Sequence, residues 1–325
     1  MIAATIIGIG IASTIFGTNN TLIWVAIQVS LTMYTKMHIG IDKKQAPFVI
    51  IALFLWIGIA NRLAMVNPFL GIIINLISIF IIMYVPSRKV REKPYMPFIL
   101  CYIFGQSVPA TGKDFGTRMI SLLVGSILVA IVYTISHHKS KAIRLNIKQM
   151  ILTMDIRSNR FILALKMAIG VTIAMFIGTI LGLQKTMWIA LSVMSITQID
   201  FAHTQKRFKL RIAGTIIGSI IFVILFQYLI PEHYTVIATL ILSYIYTFVE
   251  AYHIQMIFVT VNALSAAMIL FDRVTAIELR IALVMAGCLI GYIINRLNFK
   301  KWFGQLAENR EKRNTRKQTT IESTT

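Results

Sequence analysis

The chain has 325 residues, is 57% hydrophobic and 14% charged, and carries a net charge of +20 with a mean hydropathy of +0.76. Soluble domains hold ~45–50% apolar and ~25% charged residues, so the composition excludes a water-soluble fold and marks a polytopic membrane protein. The basic residues sit in short stretches between apolar runs, which is the positive-inside pattern rather than a nucleic-acid face; the expected partner is the lipid bilayer, with no nucleic acid.

In chain order, apolar runs are read at 2–17, 21–36, 45–61, 68–85, 95–112 and 118–136, and again at 161–182, 186–200, 210–229, 234–250, 253–271 and 278–296. This predicts an all-α transmembrane bundle of about twelve short spans: a first six-helix half (1–136), a basic linker (137–160), a second six-helix half (161–299) and a basic, disordered tail (300–325). Several runs fall short of the ~20 residues of a straight span. The first run and the pairs around Asn19 and Lys185 are therefore candidates for hairpins that turn inside the protein. The first basic residue is Lys36, so the basic start of a signal peptide is missing and the first helix is expected to stay in the mature chain. In the linker, Ile143, Ile147, Met150, Ile151 and Met154 recur at helical spacing among basic residues. That reads either as an amphipathic helix on the membrane surface or as a solvated connector.

Charge sets the orientation. Of the 32 Lys and Arg, Arg62, Lys113, Arg118, Lys185, Arg273 and Arg280 alone fall on the side opposite the rest. That asymmetry predicts a multi-pass protein of the cell membrane with both termini in the cytoplasm.

The two halves resemble one another. Thr21-Leu22-Ile23-Trp24-Val25-Ala26 matches Thr186-Met187-Trp188-Ile189-Ala190 with one gap, and His38 and His203 follow. Arg118 and Arg280 open the sixth run of each half, each after an acid (Asp114, Glu278) and each seven residues before a glycine (Gly125, Gly287). Six spans per half gives both halves the same orientation, which predicts parallel repeats.

No catalytic, metal or cofactor motif is present. The acids Asp114, Asp200, Glu250, Asp272 and Glu278 are scattered, and adjacent His137 and His138 point to different sides of a helix; the two cysteines, Cys101 and Cys288, lie in separate apolar runs. No enzyme is expected. Polar groups inside apolar runs are costly in lipid and mark function or interhelical bonding. The set is Gln28, Asn75, Gln106, Lys166, Gln184, Gln198, Asp200, Gln227, Gln255 and Asn262. Gln28, Gln106 and Asn262 are taken with Arg118 and Arg280 as candidates to line a path for a small organic anion, because a guanidinium holds a carboxylate with two parallel hydrogen bonds. The alternative for each arginine is a salt bridge to its neighbouring acid. Trp24 and Trp188 are read either as interfacial belt residues or as a stacking surface for a ring. Pro97 and Pro109 bracket the fifth run, where they free carbonyls or kink the helix.

The stretch 207–226 reads RFKLRIAGTIIGSIIFVILF. Gly214 and Gly218 lie four apart on one helix face, where a second backbone can approach. Arg211, Gly214, Thr215 and Gly218, in the pattern R-x-x-G-T-x-x-G after a basic stretch, resemble the signature of the fusaric acid resistance-like transporters of the aromatic acid exporter group, which is distantly similar to plant aluminium-activated malate transporters. The resemblance extends over most of 1–300, although the first half lacks the motif and the large soluble domain of bigger members is missing. It implies export of small organic anions such as aromatic carboxylic acids, with the four signature residues as packing positions. The alternatives are an anion channel of the same fold and a non-transporting membrane scaffold. Substrate identity and homo-oligomerisation are left open by the sequence.

Overall fold

The computed structural model describes residues 2–138, 145–268, 272–299, 301, 302 and 305. Among these, thirteen α-helices follow one another: α1 (Ile2–Phe16), α2 (Thr21–Met33), α3 (Ala46–Ala64), α4 (Pro68–Tyr84), α5 (Met96–Ser107), α6 (Lys113–His137), α7 (Ile147–Leu152), α8 (Asn159–Ile180), α9 (Met187–Ile196), α10 (Phe201–Val223), α11 (Thr235–Tyr246), α12 (Tyr252–Ala267) and α13 (Arg273–Arg296). All except α7 coincide with an apolar run.

Local chemistry sets the helix ends. Asn67 caps α4 by accepting from the Phe69 amide at 2.8 Å, with Pro68 at the first helical position. Ser158 caps α8 through the Phe161 amide, and Asp272 caps α13 through the Thr275 amide at 3.1 Å. Gly17 and Gly182, just past α1 and α8, adopt φ of 83° and 58°, a region glycine enters without steric cost. Pro97 stands at the start of α5 and Pro109 beyond its end, so neither kinks it.

Several boundaries differ from the sequence reading. His137 belongs to α6 and Arg160 to α8. Between them the helix is six residues long, closed by a capping box of Asn146 and Gln149. Met150 is its buried member, whereas Ile151 and Leu152 are exposed; Ile143 lies outside the described residues, as does almost all of the tail. An isolated bridge between Ile41 and Leu145 ties this connector to the loop before α3. The largest shift is at α10, which begins nine residues before the predicted start at 210. The basic stretch through Arg211 is helical because Lys and Arg are good helix formers. A π-helical turn, Ile224–Leu229, continues this helix.

The described helices form a multi-pass membrane bundle. Helices α3, α6, α8, α10 with its π-turn, and α13 are long and apolar enough to cross a bilayer. The other predicted spans are shorter; at 1.5 Å per residue α5 and α9 reach only ~18 and ~15 Å, about half the ~30 Å hydrocarbon core. Packing pairs recur along the chain. The pairs α1·α2, α2·α6, α3·α6, α3·α5 and α4·α5 have counterparts in α8·α9, α9·α13, α10·α13, α10·α12 and α11·α12. The correspondence is partial, since α2·α5 and α3·α4 pack closely without an equally close counterpart. The two sets meet through α4 against α8 and α5 against α9. At that seam Phe80 meets Phe161 at 5.1 Å, Phe69 meets Phe176 at 5.9 Å, and the Arg160 guanidinium covers the Tyr84 ring at 3.9 Å.

Candidate functional site

The site is built where α9, α10, α12 and α13 converge, and glycines permit the convergence. A Cβ at Gly287 of α13 would stand 2.3 Å from the Ile189 carbonyl oxygen of α9, and one at Gly218 of α10 would stand 2.8 Å from the Ile257 carbonyl oxygen of α12. Gly214 meets the Cβ of Met256 in the same seam. Helices this close bury side chains between them.

Two of those side chains are arginines. Arg211 of α10 and Arg280 of α13 are 5% and 2% exposed. Arg280 lies over the ring of Trp188, itself buried, at 4.9 Å. Arg211 donates from Nη1 to Met256 Sδ at 2.7 Å and from Nη2 to Ser192 Oγ at 3.4 Å. The Nε of each arginine is buried without a hydrogen-bond partner. Through Ser192 and Trp188 the two arginines meet the same helix, α9. Among the described residues the one salt bridge is Lys89–Glu92, so Glu278 forms none with Arg280.

A third arginine extends the cluster. Arg207, one turn before Arg211, donates to the Ser195 carbonyl at 3.0 Å and lies over the Tyr252 ring at 4.6 Å. Ser195, Ser192 and Trp188 are spaced by three and four residues, so they share one face of α9. Arg207, Arg211 and Arg280 thus meet that face at three successive levels. Arg207 also lines a cavity of about 580 Å3 at the basic end of the bundle, with Arg91, Lys93, Gln198, Asp200 and His203. Burial, and then the charge of Arg207, depress the Lys93 ammonium below its ordinary value of 10.5. A smaller cavity of about 330 Å3 lies at the opposite end between α5 and the α8–α9 turn, lined by Gln106, Pro109, Gln184 and Lys185 among others.

The other sequence candidates are dispersed. Arg118 is 2% exposed, and the expected salt bridge to Asp114 does not form. Its guanidinium instead donates to Asn20 Oδ1 at 3.1 Å and to the carbonyls of Gly105 (3.0 Å), Asn19 (2.8 Å) and Val108. It caps the end of α5, whose last carbonyls lack helical partners. Trp24 is buried, stacks on Phe16 at 5.7 Å and donates to Ser121 Oγ at 2.9 Å, so both tryptophans are packed inside the bundle. Gln106 and Tyr102 both donate to Asn75 Oδ1. Gln28 lines an apolar groove of about 550 Å3 beside α1, and the buried Oδ1 of Asn262 has no partner. Of the sequence candidates, the structure brings together Arg280 and Trp188. Arg211, expected at a packing position, reaches into their cluster, and Arg207 lies a turn away. The available signal was their spacing of four, which helical extension of the basic stretch would have exposed.

Residues 173–294, which hold this cluster, match the model of the fusaric acid resistance protein-like family. The resemblance read from the signature is therefore shown over that segment. The chain is also 34% identical over 76 residues to a protein of Escherichia coli (strain K12) described as "Uncharacterized protein YhfK"; the match covers 23% of this chain and 11% of that one. No solved structure matches the chain.

Proposed function

We propose that this protein exports small organic anions, carboxylates foremost, through the arginine cluster of α9, α10 and α13. One observation carries the reading: Arg211 and Arg280 are both buried, both meet α9, at Ser192 and Trp188, and both are without a carboxylate partner among the described residues. Desolvating an unpaired cation costs several kcal/mol. A bound anion offsets that cost, and a carboxylate can accept from a guanidinium through two parallel hydrogen bonds. The family match over 173–294 supports membrane transport as the class of activity. The Trp188 ring beside the cluster supports an aromatic carboxylate as the preferred cargo.

The positive-inside rule places the basic end, with its cavity, in the cytoplasm. An anion would enter there among Arg91, Lys93 and Arg207, then pass one helical turn deeper to Arg211 and on to Arg280. The cavity volume is within the ~300–1,000 Å3 of small-molecule sites. Arg280 is 2% exposed, which favours a carrier that alternates its access over an open channel.

Efflux from cells, with and without the gene, over a panel of aromatic and aliphatic carboxylates tests the reading. Faster efflux of one class, lost in Arg211→Gln and Arg280→Gln proteins that still reach the membrane, is the expected result. Unchanged efflux in both variants would remove the cluster from the path. Absence of any gene-dependent flux across the panel would return weight to a scaffold.

A further inference from the structure

We infer that an anion on its way out is held, before release, in the cavity between α5 and the α8–α9 turn, with Lys185 as its charged partner. This exit site rests on carboxylate export being the activity and marks where that route ends.

The seam between α5 and α9 carries a cavity at each end. Ile103 and Gln106 of α5 line the cavity of about 330 Å3 together with Thr186, Met187 and Ala190 at the start of α9. At the other end Tyr95, just before α5, lines the cavity of about 580 Å3 together with Thr197 and Gln198, just after α9. The two helices therefore run antiparallel, with an opening beyond each end of their contact. Counted along the chain from Tyr95 to Ile103, or from Ala190 to Thr197, about 10–12 Å of helix separates the openings. Phe98, Ile99 and Tyr102 of α5 and Val193 and Ile196 of α9 are buried in that interval. Two cavities on one seam, parted by a short packed stretch, are the two mouths that alternating access requires.

Helix α9 borders every station of the proposed route. Gln198 follows it at the basic cavity, its Ser192 and Trp188 meet Arg211 and Arg280, and its Met187 and Ala190 line the opposite cavity. It is ten residues long, ~15 Å, so one displacement of α9 changes all three together.

The chemistry of the smaller cavity suits an anion. Among the described residues its lining holds one charged group, Lys185, and no acid. Lys185 forms no salt bridge among them, and burial holds its ammonium below the ordinary value of 10.5, as expected of a cation drawn partly out of water. Gln106 is fixed in the lining by its bond to Asn75 Oδ1 at 2.6 Å. The turn itself is set tightly against α8, because a Cβ at Gly178 would collide with Thr186. An ammonium holds a carboxylate as a point charge, without the two parallel bonds of a guanidinium. It therefore releases more readily than Arg280, which is what a last station needs. The positive-inside rule places this end on the outer side.

The test uses the full-length protein in right-side-out membrane vesicles, with Ser107→Cys and Thr179→Cys as separate reporters in the lining. Cys101 and Cys288 are buried and stay silent. A membrane-impermeant maleimide added outside is expected to label both reporters. Benzoate outside, at ten times its half-protecting concentration, is expected to slow that labelling about tenfold by occupancy. Adding Lys185→Gln should abolish the protection while labelling persists. Lys113→Cys, exposed at the start of α6, should be labelled at one rate with or without benzoate. Failure of benzoate to slow either reporter would overturn the proposal, as would protection that survives Lys185→Gln. So would reporters that stay unlabelled from outside while Lys113→Cys is labelled. Benzoate efflux followed in the same vesicles separates the two readings. Efflux without protection refutes the exit site alone, and protection without gene-dependent efflux refutes export, leaving an anion site with no route behind it.

Discussion

Arg118 and Arg280 stand at corresponding places near the starts of α6 and α13, yet Arg118 is bound to Asn20 and three backbone carbonyls while Arg280 lies over Trp188 with its Nε unpartnered. The same residue type has been used once as a structural staple and once as a buried, uncompensated cation. Sequence spacing paired them; their surroundings separate them.

The two arginines should therefore fail in different ways. Arg280→Gln and Arg211→Gln remove a charge-assisted interaction of about 1.5–3 kcal/mol with a bound anion, which lowers carboxylate efflux roughly tenfold or more while the folded protein persists. Arg118→Gln instead leaves the Gly105, Val108 and Asn19 carbonyls without their donor. It is expected to cost about 1–3 kcal/mol of stability, with efflux per folded molecule retained. Thermal unfolding of the purified variants beside flux in vesicles separates the two outcomes.

Glycine packing gives a second test. A methyl group at Gly218 or Gly287 would press on a backbone carbonyl at 2.8 or 2.3 Å, which cannot swing aside as a side chain can. Gly218→Ala and Gly287→Ala are expected to destabilise by about 1–3 kcal/mol. Gly116→Ala, where nothing lies within 4 Å, should be neutral or stabilising by up to about 1 kcal/mol, the helix propensity gained. Unfolding midpoints of the three single variants check the ranking, and equal midpoints would refute the close approach of α10 to α12 and of α13 to α9.

How much of this was legible beforehand follows from what is local. The apolar runs gave twelve helices because burial and helix period are written in consecutive residues. The capping residues Asn67, Ser158 and Asp272 stand where such residues mark a helix start. The early start of α10 is hidden because an apolar run does not register Lys206, Arg207 and Lys209, although the same residues favour a helix. The salt bridges expected of Arg118 and Arg280 failed because carbonyls from α5 reached one guanidinium and a tryptophan from α9 reached the other. Those partners are distant in sequence and are set by which helices pack, and the order of apolar runs does not encode that pairing.

The cavity at the basic end supplies the last prediction. Lys93 is depressed below its ordinary value of 10.5 by burial and by Arg207, so it loses its charge at a lower pH than a free lysine. An anion held there should bind more weakly as the pH rises through that depressed value. Stability moves the other way: between the depressed value and 10.5 the unfolded chain holds the proton that the folded chain has released, so folding stability climbs with pH. Falling affinity alongside rising stability therefore marks Lys93 rather than general unfolding. Lys93→Arg, charged throughout this range, should carry the loss of binding to higher pH, and Lys93→Gln should bind weakly at every pH. Titration of a carboxylate probe into the nanodisc protein from pH 7 upward, with unfolding followed in parallel, reads both slopes; a binding profile unchanged by either substitution would exclude Lys93 from the entry site.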